Sequence, residues 1–186
     1  LGLRVFANSP AQAIDGSTVS ANGHQLKAQK IIIATNGYSS EDLVPWMRSR
    51  FMPVQSSVLV TRPMSQEELD VQGWTSDQMA YDTRNMLHYF RLMPDRRFLF
   101  GMRGGIFATP KAEAKIKREI RSNFEMLFPK WSQVETDHYW SGLVCLTRSY
   151  LPYVGPIPDQ DSVFTGFGYH GNGVAMATYS GLILAD

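Results

Sequence analysis

The sequence VFTGFGYHGNGVAMATYSGLILA, residues 163–185, decides the fold. It predicts a short strand, then a glycine-rich loop over 166–171, then a helix of small and apolar residues over 173–185. Glycines let a backbone approach a ligand closely, and the N-terminal end of a helix attracts negative charge. The loop therefore suits an anionic or electron-rich ligand, and the alternative is a tight strand-to-helix turn without a ligand.

The loop reads G-x-G-x-x-G, the pattern of a dinucleotide-binding unit, but the residues after it do not complete such a unit. A dinucleotide-binding unit continues with a second strand and with an acidic residue roughly 20 positions further on. The only acidic residue after this loop is Asp186, at the C-terminal end of the predicted helix. We therefore exclude a self-contained nucleotide-binding unit here.

A second informative stretch is AQKIIIATNGY, residues 28–38. Its three consecutive isoleucines favour a strand that is buried on both faces. Ligands of open α/β sheets bind at the carboxyl ends of strands, so the segment 34–38 is a candidate ligand contact. The alternative is an ordinary turn.

The rest of the chain favours antiparallel strands and one clear amphipathic helix. Asn22-Gly23 predicts a hairpin, and residues 86–91 and 97–101 predict two strands joined by a tight turn. Apolar residues at helical spacing predict a helix over 111–128. Residues 151–156 predict a turn, since they are rich in proline and glycine. The fold class is α+β or α/β, with two subdomains and both chain ends in one of them.

Composition excludes several classes of protein. The 18 Lys and Arg against 17 Asp and Glu give a net charge of +1, which excludes a basic surface built to bind nucleic acid. The longest apolar runs are far shorter than the roughly 20 residues that span a bilayer. The single cysteine, Cys145, excludes an internal disulfide and a multi-cysteine metal site. It fits a reducing compartment, so we predict a cytoplasmic protein.

The ends of the chain predict a fragment. Leu1 is neither a methionine nor part of a signal-peptide pattern, and the last predicted helix has no stop signal.

Side chains that could act in hydrolysis or metal binding form no recognisable pattern. The four histidines lack metal-ligand spacing, and no serine lies in a G-x-S-x-G motif. We therefore predict no metal site and name no catalytic residue. Aromatic residues such as Tyr81, Tyr89, Phe90 and Trp140 are candidates for a pocket, although most aromatic residues belong to cores.

Five motifs in order carry a resemblance to a known family. They are AQKIIIATNGY at 28–38, YFR to LFGMR at 89–103, WSG at 140–142, LTRSYLPYVG at 146–155 and GYHGNGV at 168–174. Together they resemble the D-amino acid oxidase superfamily of FAD-dependent oxidoreductases, most of all its γ-glutamylputrescine oxidase branch.

The resemblance implies a fragment of a two-domain FAD-dependent oxidoreductase, with a mixed antiparallel substrate-domain sheet, helices and a partial FAD-binding domain. Residues 1–44 would belong to the partial FAD-binding domain, 45–140 to the substrate-binding domain, and 141–186 to the segment that returns to the FAD-binding domain. The family's own FAD fingerprint would lie upstream of Leu1. We expect the fragment alone to bind FAD weakly or not at all, and to be inactive.

The resemblance also implies which residues contact FAD. The segment nearest the diphosphate and ribose would be Ala34, Thr35, Asn36 and Gly37. The segment against the pyrimidine edge of the isoalloxazine would be Gly168, Tyr169, His170, Gly171, Asn172, Gly173 and Val174. Here the chain departs from its relatives, which usually read G-[aromatic]-S-G-H-G. Some sarcosine oxidases attach flavin to a cysteine, but Cys145 does not align with it, so we predict non-covalent FAD.

The implied activity is oxidation of the C–N bond of a γ-glutamylputrescine-like amine to an imine, with hydride transfer to flavin. Many family members bind the substrate carboxylate with an arginine where this chain has Val144. Its absence favours an amine, or an anchor elsewhere; the substrate-pocket candidates are Tyr89, Arg91 and Arg148. The alternatives are a glycine, sarcosine or D-amino acid oxidase or dehydrogenase, and a non-catalytic binding domain. The expected partner is a small molecule, with the oligomeric state left open.

Overall fold

Glycine, asparagine and proline residues divide the described part of the chain into eleven strands and three α-helices. The computed structural model describes residues 2–106 and 109–185. The strands are β1 (Ala11–Asp15), β2 (Thr18–Ala21), β3 (His24–Lys27), β4 (Ile31–Ile33), β5 (Met52–Thr61), β6 (Ala80–Tyr81), β7 (His88–Leu92), β8 (Phe98–Arg103), β9 (Thr136–Leu146), β10 (Tyr153–Ile157) and β11 (Gln160–Phe167). The helices are α1 (Gln66–Gln72), α2 (Pro110–Leu127) and α3 (Gly173–Ala185). Asp186, which the sequence assigns to the last helix, lies outside the described residues. None of the helices in the described ranges has both the length and the apolar character that crossing a membrane requires.

Two compact units divide the chain, residues 1–53 with 144–186 and residues 54–143. Each unit has its own hydrophobic core. The core of the first unit contains Ile31, Ile33, Val44, Met47, Cys145, Ile157, Val163 and Phe167. The core of the second unit contains Leu59, Met64, Leu69, Phe98, Phe100, Met102, Ile116, Ile120, Phe124, Phe128, Trp131 and Val134.

An antiparallel sheet of β1, β2 and β3 forms one part of the first unit. Asn22 and Gly23 join β2 to β3 with backbone φ angles of 50° and 77°. Both values lie in the left-handed region, which a two-residue hairpin turn requires and which asparagine and glycine tolerate. The predicted hairpin is confirmed.

The second sheet of the first unit has the order β10-β11-β4, and β4 runs parallel to β11. Ile31 and Ile33 are buried, but Ile32 between them is 54% exposed. The prediction that this strand is buried on both faces is therefore wrong. Side chains alternate between the faces of a strand, and only the face of Ile31 and Ile33 packs into the core of this unit.

Strand β10 occupies a segment for which the sequence predicts a turn. The prediction fails because β10 pairs with β11 from Tyr153 to Ile157. Pro156 is compatible with this pairing because β10 lies at the edge of the sheet, where a strand can lack an N–H donor on one side.

The second unit is a five-stranded sheet, in the order β6-β7-β8-β5-β9, with α2 packed on one face. Ile116, Ile120 and Phe124 form the buried stripe of α2, so the predicted amphipathic helix is confirmed. They meet Phe98 and Phe100 of β8, which are fully buried. We call this the helix-covered face of the sheet.

A capping box starts α1. The Ser65 hydroxyl accepts the backbone N–H of Glu68, and the Glu68 carboxylate accepts the backbone N–H of Ser65. The same carboxylate receives two hydrogen bonds from the Arg62 guanidinium, at 2.6 and 3.0 Å. The hydrogen bonds from Arg62, followed by those from Ser65, lower the pKa of Glu68 to about 2.

Candidate functional site

The carboxyl ends of β4 and β11 lie side by side in the first unit. These strands are parallel, with Ile33 opposite Thr165. The polypeptide therefore leaves the sheet at the same edge after each of the two strands. The Thr165 hydroxyl donates to the carbonyl oxygen of Ile33 at 2.9 Å. The segments that follow, residues 34–38 and 168–172, are therefore neighbours at one edge of the sheet.

Asn36 links the two segments directly. Its side-chain oxygen accepts the backbone N–H of Gly168 at 3.1 Å. Its own backbone is left-handed, with φ at 47°, a conformation that asparagine tolerates better than most residues. Ala34 and Thr35 are exposed at this edge, whereas Gly37 is buried. Four predicted contacts from the first segment thus lie beside the glycine loop.

The glycine loop owes its shape to residues without side chains. Gly168 has φ at 84° and Gly171 has φ at 103°, values that other residues rarely adopt. A Cβ on Gly168 would collide with Cγ2 of Thr147. The ring of Tyr169 folds back so that its Oη lies 2.7 Å from where a Cβ on Gly166 would be. Glycine is needed at Gly168 because its backbone is left-handed and because Thr147 approaches it closely.

His170 is held against the protein by Thr147. Its Nε2 lies 2.9 Å from the Thr147 hydroxyl, and its backbone N–H donates to the carbonyl of Cys145 at 3.3 Å. The side chain is half-buried. The role of Thr147 is not apparent from the sequence, because nothing in a single sequence shows that residues 23 positions apart meet. The ring of His170, a predicted FAD contact, is therefore already in a hydrogen bond within the protein.

The N-terminus of α3 is open to solvent. The carbonyl of Asn172 accepts the N–H of Met176 at 3.0 Å, which starts the helix, and Val174 in the first turn is 95% exposed. The first turn contains no acidic residue. The first N–H groups of a helix lack intrahelical acceptors and carry partial positive charge. This end of α3 can therefore stabilise negative charge.

Cys145 lies behind the glycine loop and is 1% exposed. Burial raises the pKa of its thiol to about 11, although a hydrogen bond from the Gly168 backbone opposes the shift. The thiol is thus neutral at physiological pH. A buried, neutral thiol is a poor nucleophile, so Cys145 acts as a residue of the core.

Tyr89 and Arg91 lie in the second unit, on β7. Tyr89 Oη lies 3.1 Å from Ser56 Oγ, and its ring covers Gly101, where a Cβ would collide with the ring. Arg91 is half-buried, and its Nε is buried without a hydrogen-bond partner among the described residues. The sequence could not indicate that Ser56 and Gly101 position Tyr89.

Arg148 lies in the first unit, in the turn that follows β9. It is exposed and lines a cavity of about 700 Å³ together with Arg50, Trp46 and Tyr153. The guanidinium of Arg50 stacks on the Trp46 ring, 4.4 Å from its centroid. Arg148 thus has another arginine as a neighbour.

Comparison with known proteins identifies relatives over the whole chain. The DAO family, described as FAD dependent oxidoreductase, matches residues 1–186. A probable oxidoreductase, OrdL, of Haemophilus influenzae is 28% identical over 100% of this chain and 43% of its own length. The gamma-glutamylputrescine oxidoreductase of Escherichia coli is likewise 28% identical over 100% of this chain and 43% of its own.

The fold is also found in a solved structure. Glycine oxidase from Geobacillus kaustophilus matches with a TM-score of 0.73 at 18% identity, over 97% of this chain and 48% of that one. The chain spans less than half the length of each of these three proteins. Since the family match covers every residue, the chain belongs to the DAO family of FAD-dependent oxidoreductases.

Proposed function

We propose that this chain is part of an FAD-dependent enzyme that oxidises the C–N bond of a γ-glutamylputrescine-like amine to an imine. The observation that carries the proposal is the sheet edge where Asn36 binds the glycine loop beside the open N-terminus of α3. The similarity to the E. coli gamma-glutamylputrescine oxidoreductase supports the choice of amine. In this proposal residues 1–44 and 141–186 serve FAD binding, and residues 45–140 serve substrate binding.

The residues at this edge fit a flavin. Bound FAD would accept a hydride from the substrate carbon. Residues 34–37 would contact its diphosphate and ribose, and residues 168–174 its pyrimidine edge. The N-terminus of α3 has no acidic residue in its first turn, so its N–H groups would stabilise negative charge on the pyrimidine ring. His170, held by Thr147, would shape the loop.

The substrate side of the proposal rests on Tyr89, Arg91 and Arg148. Each can bind and orient a polar group, and we assign no general acid or base because an amine that arrives as the free base needs none. Val144 lacks the guanidinium with which many relatives bind an α-carboxylate, which favours an amine over an α-amino acid.

A second candidate is a glycine, sarcosine or D-amino acid oxidase. The partnerless Nε of Arg91 favours it, because that guanidinium could replace the missing arginine as the anchor of an α-carboxylate. The predicted compartment for either enzyme remains the cytoplasm, on the basis of the single free cysteine.

The test is the visible spectrum of the full-length protein, before and after anaerobic addition of γ-glutamylputrescine. We expect a flavin spectrum that bleaches. A flavin that is bleached only by glycine, sarcosine or a D-amino acid would select the second candidate. Absence of flavin after incubation with FAD would overturn both oxidase candidates and favour the alternative of a non-catalytic binding domain.

The same preparation tests how the flavin is held. Because Cys145 is buried and neutral, we expect acid precipitation to release all the flavin into the supernatant. Flavin that stays in the pellet would contradict the proposed non-covalent binding.

A further inference from the structure

Three Asn-Gly dipeptides occur in the chain, at 22–23, 36–37 and 172–173. Asparagine before glycine is prone to deamidation, because glycine has no Cβ that would shield its backbone nitrogen from the preceding side chain. In that reaction the deprotonated glycine nitrogen attacks the asparagine Cγ, a five-membered succinimide ring forms, and ammonia leaves. Water then opens the ring to aspartate or isoaspartate. The net change is the hydrolysis of one side-chain amide, which needs no oxidant and no second reactant besides water.

Hydrogen bonds restrain the side chains of Asn22 and Asn36. The Asn22 amide nitrogen donates to the carbonyl oxygen of Asn8 at 3.0 Å. The Asn36 side-chain oxygen accepts the backbone N–H of Gly168 at 3.1 Å, and Gly37, which carries the attacking nitrogen, is buried. Attack requires the side chain to rotate until its Cγ approaches the next backbone nitrogen. The hydrogen bonds oppose this rotation at both residues.

Asn172 lacks such a restraint. Its side chain is exposed and has no hydrogen-bond partner among the described residues. Gly173 begins α3, and the first N–H groups of a helix have no intrahelical acceptor, so the attacking nitrogen is not engaged within the helix. Beyond its own helix and chain neighbours, a Cβ on Gly173 would come no closer to another atom than 3.9 Å, at Cδ2 of Tyr169. The reacting groups therefore have room to meet.

We propose that Asn172 is a site of spontaneous deamidation in the flavin-free protein, and that bound FAD protects it. The protection rests on the function proposed above, in which residues 168–174 contact the pyrimidine edge of the flavin. Aspartate is as favourable as asparagine at the position before a helix, so α3 would tolerate the aspartate product. Its carboxylate would oppose negative charge on the flavin at the same helix end. Protein that loses its flavin thus acquires a lasting change in the site that binds it.

The test is incubation of the full-length protein, with and without its flavin, at mildly alkaline pH, which favours the deprotonated nitrogen. Peptide mass spectrometry follows each asparagine, because replacing the amide NH2 by OH raises the mass by about 1 Da. In the folded flavin-free protein we expect Asn172 to deamidate roughly 10 times faster than Asn36, and also faster than Asn22. In denatured protein the three rates should be similar, because the structural restraints are gone. The inference is overturned if Asn172 is not the fastest of the three in the folded protein.

Gly173→Ala is the matched variant, because its backbone is not left-handed and its methyl group fits the open surroundings. The methyl group hinders the attacking nitrogen, so deamidation of Asn172 should slow roughly tenfold, while Asn22 in the same molecule keeps its rate. An unchanged rate at Asn172 would contradict the assigned reaction.

Flavin binding is tested separately in the same experiment. We expect FAD to slow deamidation at Asn172 and to leave the rate at Asn22 unchanged. Equal rates at Asn172 with and without FAD would overturn the protection and the proposed position of the flavin. The order of the three asparagines in the flavin-free protein still decides whether Asn172 is the modification site, so the two failures are distinguishable.

Discussion

At the scale of single residues, the placement of Tyr89 depends on Gly101. A methyl group at Gly101 would collide with the Tyr89 ring. The contact between the Tyr89 and Ser56 hydroxyls restricts how far that ring can move away. We predict that Gly101→Ala destabilises the full-length protein by about 1–3 kcal/mol, since overpacking displaces side chains and backbone. Urea denaturation measures the change in the free energy of unfolding.

Gly104→Ala is the matched control for this prediction. A Cβ there would meet the side chain of Ile116, with its terminal Cδ1 nearest at 3.3 Å, which needs a shift of only a few tenths of an ångström, so a loss below roughly 1 kcal/mol is expected. In the double variant with Tyr89→Ala the collision is absent, and the two effects should be less than additive. Additive losses would refute the assigned collision.

Cys145 provides a second prediction at this scale. With a thiol pKa of about 11, roughly one thiol in a thousand is ionised at pH 8. We expect the native protein to react with a disulfide reagent on the order of 100 times more slowly than the denatured protein, since only the thiolate attacks. Equal rates would mean that the thiol is not buried.

At the scale of elements, the capping box of α1 is sensitive to acid. The folded-state pKa of Glu68, about 2, lies below its ordinary value of 4.5, so ionised Glu68 stabilises the fold above pH 4.5. This stabilisation is lost as the pH falls from 4.5 towards 2. We predict that Glu68→Gln lowers the free energy of unfolding by about 1 kcal/mol at neutral pH, with a smaller difference at pH 2.

Glu67→Gln serves as the control, because Glu67 lies in the same first turn but is exposed. Chemical denaturation at a series of pH values measures both variants. If the two variants show the same pH dependence, the paired carboxylate of Glu68 is not its source.

The elements also show what a single sequence can predict. The Asn22-Gly23 hairpin and α2 are predictable from the sequence. Turn chemistry and helical periodicity depend on residues that are close together in the chain. The exposure of Ile32 and the strand at β10 depend on partners distant in sequence. The candidate site shows the same limit: the loops that the sequence indicated are adjacent, but the hydrogen bond between Asn36 and Gly168 spans 132 residues.

At the scale of the whole molecule, the second unit is one continuous segment with its own core. Residues 52–146 contain its complete sheet and both of its helices. We predict that this segment, expressed alone, unfolds cooperatively in urea. Phe98→Ala should remove about 3–5 kcal/mol, because Phe98 is fully buried, whereas Lys115→Ala on exposed α2 surface should have little effect. A gradual transition in the unmodified segment would refute an independent core.

The parallel pairing of β4 with β11 also sets an order of events during synthesis. Ile33 is translated more than a hundred residues before Thr165, to which it is hydrogen-bonded. The continuous segment 54–143 emerges between them and can fold first, because domains generally fold as units as they leave the ribosome. Until β11 emerges, the isoleucines of β4 lack the strand that pairs with them. Within this sequence, the interval between the synthesis of β4 and that of its partner β11 is therefore long, and a chaperone that shields β4 during it would protect the nascent chain from misassembly.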